Sequence, residues 1–278
     1  MKVLNKDELQ IAEGVLQKHF PKSYKTYGFI YGINRNKPTT LEVVVDTWPD
    51  FKVIICRPNL KNKRAALFTN KVSYYSMDDR ALEKMLKEGD AFLWSTNFCV
   101  GGLDTAHLPM LKEASSHRKV TYRAYTLVHL LYLPDPNHLL MPSIDSELES
   151  RISCLNLSHV ELVNKTWKFG GNEKSYNIIE NLISNFLTCC IMNDKGEPVS
   201  WILLYDYCAM GILYTLPEHR HKGYAKVLIG TMAKKLYAEG YPLYCYIEED
   251  NTVSYKLFKS MGFFEDVNYR AAWYEFNV

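Results

Sequence analysis

Hydrophobic and polar positions along the chain follow helical spacing in some stretches and strand spacing in others, which predicts an α/β protein. Near the amino terminus, Asn5 and Glu8 have the spacing of a capping box, and apolar residues follow at helical intervals. Residues 27–33 and 41–46 have strand-like patterns and are joined by a polar turn. The other elements predicted in this half are a strand at 52–56, helices at 78–87 and 103–113, and a long strand at 120–132.

Residues 133–143 contain three prolines and no periodicity, so they are predicted to form a linker between domains at 1–140 and 150–278. The second half follows a clear order of strand, two helices, three strands, helix, strand, helix and strand. The predicted elements are 152–157, 158–167, a helix capped by Asn172, 186–192, 199–205, 209–216, 223–239, 243–247, a helix capped by Asn251, and 273–276. Gly240 and Pro242 are predicted to stop the longest helix.

Composition sets limits on function more than it identifies one. The chain has 278 residues, 47% of them hydrophobic, and a net charge of +2, so there is no electrostatic case for nucleic-acid binding. Lys61, Lys63 and Arg64 form the densest basic patch and are predicted to lie in a solvated loop. Seven cysteines without framework spacing indicate free thiols in a reducing compartment. The chain has no run of eighteen apolar residues, so no membrane span is predicted.

The segment from Thr215 to Ala225 is the most informative part of the chain because it leads from an apolar strand into a helix. Its pattern is Arg220-x-x-Gly223-x-Ala225, with small residues where main chain can approach a ligand closely. Free N–H groups and the positive end of the helix dipole together favour a pyrophosphate. The amides of His221, Lys222, Gly223, Tyr224 and Ala225 are the predicted ligands, with Arg220 and Lys222 adding charge. His219 and His221 supply too few ligands for a metal site, and none is predicted.

Two signatures resemble the GCN5-related N-acetyltransferase (GNAT) fold over about residues 150–278. One is the loop pattern just described, and the other is Asn251 followed by Ser254, Leu257, Phe258, Gly262 and Phe263. The resemblance implies a mixed, largely antiparallel sheet flanked by helices. A second α/β domain precedes it, and whether that domain is a degenerate copy of the same fold stays open.

A narrower resemblance extends over essentially the whole chain. The segments 46–51, 164–167, 170–173, 198–201 and 215–220 look like those of the glycine N-acyltransferase family. The resemblance implies transfer of an acyl group from acyl-CoA, a cosubstrate and not a tightly bound cofactor, to the amine of glycine or glutamine. It further implies direct attack in a ternary complex and a mitochondrial protein, with the cytoplasm as the alternative compartment.

The same resemblance implies roles for residues outside the loop. The two strands around the loop and its helix are expected to splay, so that the main chain of Tyr214, Thr215 and Leu216 holds the pantetheine arm. Asn251 and Phe258 are also expected beside the cofactor.

The chain departs from the family at the two positions that normally handle protons. Where related enzymes have a catalytic glutamate after the cysteine at Cys208, this chain has Ala209, and the general-acid tyrosine of the wider fold falls at Phe258. Asp206, Tyr207 and Glu248, all near strand ends, are the candidate replacements. For each of them a solvated polar residue is the alternative interpretation.

Three functions therefore stay open. The first is acyl-CoA:amino acid N-acyltransfer, with glycine as the first acceptor. The second is a non-catalytic acyl-CoA-binding protein, which Ala209 and Phe258 favour. The third is N-acetylation of other amines. The oligomeric state is not readable from the sequence.

Overall fold

The computed structural model describes residues 1–62 and 70–278, so Lys63 and Arg64 of the basic patch lie outside the described residues. The chain divides into two compact units, Met1–His129 with Val267–Val278, and Leu130–Asp266. Its strands are β1 Lys2–Val3, β2 Leu41–Val45, β3 Val53–Pro58, β4 Lys71–Ser76, β5 Phe98–Asp104, β6 Tyr122–Tyr132, β7 Ile152–Ser153, β8 Thr188–Met192, β9 Pro198–Leu204, β10 Met210–Thr215, β11 Tyr244–Glu248, β12 Phe264–Glu265 and β13 Ala271–Phe276. Its helices are α1 Lys6–Gln17, α2 Tyr24–Asn34, α3 Asp79–Lys87, α4 Leu108–His117, α5 Ser146–Ser150, α6 Val160–Thr166, α7 Glu173–Asn185, α8 Tyr224–Ala238 and α9 Thr252–Ser260.

The sheet of the first unit has the order β1-β2-β3-β4-β5-β13, followed by the first residues of β6. Neighbouring strands are antiparallel except β4 and β5, which are parallel. Its core contains an aromatic cluster in which Phe98 and Phe276 stack at 5.1 Å. The last strand of the chain therefore packs with the first unit, whereas the sequence assigned residues 150–278 to one domain. The domain bounds 1–140 and 150–278 therefore stay a prediction.

The second unit contains the sheet β11-β10-β9-β8-β7, and β12 pairs with Leu131 and Tyr132 at the end of β6. Here too the pairs are antiparallel except one, the parallel pair of β10 and β11. Trp201 and Tyr244 are fully buried in its core. From β1 to α4 and from β7 to α9 the chain repeats one order: strand, two helices, three strands, helix, strand, helix. The repeat supports the view that the first unit is a second copy of the fold.

Most of the predicted elements are present, because the spacing of their apolar residues places those residues on one buried face. The capping box of α1 is confirmed: Glu8 N donates to Asn5 Oδ1, and Asn5 N donates to Glu8 Oε2, both at 3.0 Å. Asn172 and Asn251 cap α7 and α9 as predicted. Gly240 has φ +76° directly after the last turn of α8, as its predicted role as a helix stop requires.

Two predictions in the first half are wrong. Residues 27–33 were predicted as a strand but belong to α2, in which nine of eleven residues are buried. A helix buried on nearly every side has no apolar stripe, so its aromatic and β-branched residues imitate a buried strand. The helix predicted at 103–113 begins only at Leu108, because residues up to Asp104 form β5. The pattern also missed β4.

Two general expectations can be compared with the structure directly. None of the seven cysteines forms a disulfide within the described part of the chain. Across residues 1–62 and 70–278, no helix combines the length and the apolar character that crossing a membrane requires.

Candidate active site in the second unit

The loop between β10 and α8 has the backbone geometry that the sequence pattern predicts. A short 3-10 turn, Pro217–His219, leads to Arg220, and the helix begins after Gly223. Gly223 has φ +79°, a left-handed conformation that favours glycine, and a Cβ built on it would meet nothing within 4 Å. His221 also has positive φ, at +61°. The main chain therefore turns sharply ahead of the helix and faces open space.

The first turn of α8 offers its amides to a ligand. The N-cap Gly223 has no side chain to accept a hydrogen bond, and the first turn has no acidic residue. Within the described part of the chain, the N–H groups of Tyr224, Ala225 and Lys226 donate to no main-chain or side-chain acceptor. Such amides, at the positive end of a fifteen-residue helix, form an anion site.

The cationic residues Arg220, Lys222 and Lys226 lie next to these amides along the chain. Arg220 is fixed to the end of β10, because its Nε donates to Thr215 O at 3.1 Å and its guanidinium lies 5.5 Å from the Tyr214 ring centroid. His221 and Lys222 are exposed on the loop, and Lys226 is exposed one residue into the helix beyond Ala225. The electrostatic field therefore adds to the helix dipole and favours a multiply charged anion.

Strands β10 and β11 pair at Met210 with Cys245, and within the described residues they form no pair beyond it. On its other side β10 pairs with β9, with a bulge between Gly211 and Tyr214 where Ile212 has φ +51°. The predicted splay between the two strands agrees with this pairing, and the bulge changes which main-chain groups face the opening.

Of the three main-chain positions predicted to hold the pantetheine arm, two direct their hydrogen-bonding groups toward β9 and one directs them away from it. The N–H of Leu216 donates to Val199 O at 2.9 Å and is used within the sheet. Tyr214 O accepts from Ser200 Oγ at 3.1 Å, on the same side. Because hydrogen-bonding groups alternate along a strand, Thr215 directs its main-chain groups away from β9. The Thr215 position is thus the one of the three that faces the splay.

Both positions that handle protons in related enzymes carry inert side chains here. Ala209 is 1% exposed and follows a tight turn in which Tyr205 N donates to Ala209 O at 2.9 Å. Phe258 is 3% exposed and packs edge-on against Phe263, with ring centroids 5.1 Å apart. Asn251 accepts from Ser254 N at 3.1 Å, so its side chain caps α9.

The candidate replacements lie close to one phenol that the sequence did not single out. Burial raises the pKa of Tyr205; a hydrogen bond from Trp167 opposes the shift, and the charges of Asp206 and Glu248 add to it. Both carboxylates therefore act on the same group. Glu248 Oε2 also accepts from Lys168 Nζ at 2.6 Å, with the glutamate side chain 19% exposed. The structure thus brings Asp206 and Glu248 to one region.

Two tyrosines in this region cannot act as bases. Tyr205 and Tyr207 stack at 4.9 Å with nearly parallel rings. Burial raises the pKa of Tyr207 well above its ordinary value, so its hydroxyl stays protonated. A Cβ on Gly211 would collide with the Tyr205 ring, which therefore covers the main chain of β10 at the bulge. The glycine at this strand position was the sequence signal that could have identified Tyr205.

Comparisons with known proteins identify the family and the fold. A family model described as aralkyl acyl-CoA:amino acid N-acyltransferase matches residues 1–187, and a model of FR47-like proteins matches residues 190–272. Glycine N-acyltransferase of Rattus norvegicus is 30% identical over 91% of each chain. An X-ray structure of a Drosophila protein superposes over 99% of this chain and 97% of its own, with a TM-score of 0.78 and 18% identity. A tandem GNAT protein of the clavulanic acid biosynthesis pathway covers 98% of this chain and 96% of its own, with a TM-score of 0.54 and 11% identity.

Proposed function

The chain belongs to the aralkyl acyl-CoA:amino acid N-acyltransferase family and is an acyltransferase; from this premise we propose that it acylates glycine, with glutamine as a second acceptor. The observation that carries the proposal is the loop before α8, where free amides, Gly223 and the neighbouring Arg220 and Lys222 suit the diphosphate of acyl-CoA.

The proposed reaction is direct attack within a ternary complex. The neutral amine of the amino acid attacks the thioester carbonyl, a C–N bond forms, the C–S bond breaks, and CoA leaves as a thiolate that takes up a proton. A main-chain N–H at the edge of β10 is the proposed donor to the developing oxyanion. One such donor commonly contributes about 3 kcal/mol to the stability of the transition state.

Removal of the amine proton is assigned to Glu248 or Asp206, acting through water. Ala209 and Phe258 cannot take part, and Tyr207 stays protonated. A base that only deprotonates an ammonium can be modest, so a carboxylate reached through one water is sufficient. Lys168 Nζ, 2.6 Å from Glu248 Oε2, fixes the position of that carboxylate.

The second candidate function is acyl-CoA binding without turnover. The absence of both usual proton-handling side chains, at Ala209 and Phe258, favours it. N-acetylation of other amines has no observation of its own in the described residues and ranks third.

The test is a matrix of benzoyl-CoA, acetyl-CoA and a long-chain acyl-CoA against glycine, glutamine and alanine, with release of free CoA thiol as the readout. We expect turnover with glycine and none without an amino acid. Thiol release in no combination, together with calorimetric binding of CoA, would establish the non-catalytic candidate instead. Failure of CoA to bind would reject both.

We also propose a mitochondrial location, which rests on the family resemblance alone. Fractionation of cells that express the full chain tests it, and recovery in the cytosol would favour the alternative compartment.

A further inference from the structure

The first unit contains a polar cavity of about 280 Å³ that shares no residue with the candidate active site. It lies where β4 and β5 separate: the two strands pair at Lys71 with Cys99 and at Val72 with Val100, and the cavity is lined by residues beyond those pairs. The lining residues come from β4 and its end, from β5 and the 3-10 turn Thr105–His107 after it, from the α1–α2 connection and from the segment before β13. Those that determine its chemistry are His19, Lys22, Tyr74, Tyr75, Asp104 and His107.

A nucleotide diphosphate does not suit this cavity. The helix that follows β4 is α3, and its N-cap Asp78 accepts from Ala81 N at 2.9 Å. Asp79 adds a second carboxylate in the first turn. The place that an anion would occupy at a helix start is therefore filled by protein carboxylates, which repel phosphate. The cavity is not a second site for CoA.

One wall of the cavity is built by a chain of three hydrogen-bonded side chains. His107 Nε2 lies 3.2 Å from Asp79 Oδ1, and His107 Nδ1 lies 3.0 Å from the Tyr74 hydroxyl. An ionised carboxylate only accepts, so Nε2 donates to Asp79; in the tautomer with its one hydrogen on Nε2, Nδ1 accepts from the Tyr74 hydroxyl. Burial raises the pKa of Tyr74, and so do the charges of Asp104 and Asp79, so the hydroxyl keeps this proton. Its oxygen lone pairs remain as acceptors for a donor in the cavity.

Asp104 strengthens the acceptor character of this wall. Its Oδ1 accepts from Ala106 N at 3.0 Å, which fixes the carboxylate at the end of β5. Burial raises the pKa of Tyr75, and the charge of Asp104 adds to the rise. The Asp104 carboxylate therefore acts on both tyrosines of the cavity. Tyr74 and Asp104 together form a place for a cation that donates hydrogen bonds, such as an ammonium group.

The α1–α2 connection contributes groups of the opposite kind. Lys22 Nζ lies 5.5 Å from the centroid of the Tyr269 ring, and the His19 ring lies 5.4 Å from the Tyr75 ring. Among the residues that the structure describes, neither Lys22 nor Asp104 has an ion-pair partner. Two opposite charges thus line one cavity without neutralising each other.

We propose that this cavity binds a free α-amino acid, with its ammonium group at Tyr74 and Asp104 and its carboxylate at Lys22 and His19. A zwitterion supplies both missing charges at once, and the volume lies just below the range of about 300–1,000 Å³ that is common for small-molecule sites. The site does not depend on acyl transfer in the second unit.

The test is calorimetric titration of the full chain with glycine, glutamine and phenylalanine, and with glycinamide and propionate as analogues that lack one charge. We expect at least one amino acid to bind at least about tenfold tighter than either analogue. Lys22→Met and Asp104→Asn should each weaken that binding by at least about tenfold. Asn can still cap Ala106, so the second variant retains the fold. Tyr74→Phe removes only the hydroxyl and should weaken binding of the ammonium end.

Lys18→Met and Asp7→Asn are the matched controls, because both residues are exposed and neither lines the cavity. An amino acid bound only in the second unit would leave the Lys22 and Asp104 variants indistinguishable from these controls and would overturn the proposal. Binding of the single-charge analogues as tight as that of the amino acid would overturn it as well. In every variant, unchanged affinity for CoA separates this result from a failure of the proposed function.

Discussion

Two helices, α3 and α8, occupy the same place in the repeated order of elements but begin in opposite ways. Each helix connects the last of three strands to a further strand, and the two connected strands are parallel to each other. Helix α8 starts at Gly223 with φ +79° and with no side-chain cap, whereas α3 starts at Asp78 with φ −149° and with its carboxylate on Ala81 N. The residues at the helix start, more than the fold, determine whether an anion can bind there.

Charge separates the two helix starts as sharply as backbone geometry does. Arg220 and Lys222 precede α8, while Asp78 and Asp79 begin α3. A helix whose first turn is capped by its own carboxylate offers a phosphate fewer free N–H donors and a repelling charge. The difference between the two helix starts supports the proposals that CoA binds in the second unit and that a smaller ligand binds in the first.

The largest effect is expected for Gly223→Trp. The left-handed φ strains a non-glycine residue by about 1–3 kcal/mol, and the side chain would fill the space in front of the amides. We expect the dissociation constant for CoA to rise by at least about 100-fold, measured by calorimetry. Gly196→Trp is the control, because Gly196 is exposed with φ +75° and a Cβ placed on it would meet nothing within 4 Å. Equal affinities of the two variants would remove the loop assignment.

A smaller loss is expected for Lys222→Glu, which brings to α8 the kind of charge that α3 carries. The reversal should weaken CoA binding about tenfold at low salt and less at high salt, because exposed charges are screened. Lys234→Glu, at an exposed position nearer the other end of α8, is the control and should have little effect. A loss that is independent of salt, or equal in the control, would argue against direct attraction of the diphosphate.

Asp78→Ala should lower the free energy of unfolding by about 1 kcal/mol, because it removes the cap of α3. Chemical denaturation of the full chain provides the measurement. Asp78→Asn should recover most of that stability, since asparagine caps nearly as well. CoA affinity should be unchanged in both. An Asp78→Ala protein that gained a second CoA site would show that the carboxylate alone excludes the nucleotide from the first unit.

The smallest effect, a rise in turnover of about two- to tenfold, is expected for Ala209→Glu if the missing base limits proton removal. Ala209 is buried, so the new carboxyl should have a raised pKa and act best at higher pH. Ala209→Gln has the same shape without a base and serves as the control. Identical pH–rate profiles for the two variants would show that Glu248, Asp206 or water already does this work.

The sequence predicted α8, its glycine start and the Asn251 cap because each depends on local chemistry. A left-handed glycine, a helix cap and an amphipathic stripe are all set by residues within one or two turns. Ala209 and Phe258 were singled out differently, through the resemblance to the family, whose usual proton-handling groups fall at these two positions; both residues are buried in the structure.

The features that the sequence missed depend on residues distant in the chain. Helix α2 has no polar face because it is surrounded by its own unit, so periodicity could not separate it from a strand. Only the structure shows that Trp167, Asp206 and Glu248 all act on the buried phenol of Tyr205. The cavity of the first unit joins Lys22 to Asp104, which no spacing rule connects.

The central claim is that the amides at the start of α8 bind the diphosphate of CoA, and amide NMR of the ¹⁵N-labelled full chain tests it most directly. On titration with CoA, the N–H signals of residues 221–226 should shift, those of residues 78–83 at the start of α3 should not, and pantetheine, which lacks the diphosphate, should leave both sets in place. Saturation of the protein with CoA while residues 221–226 stay unshifted would contradict the account.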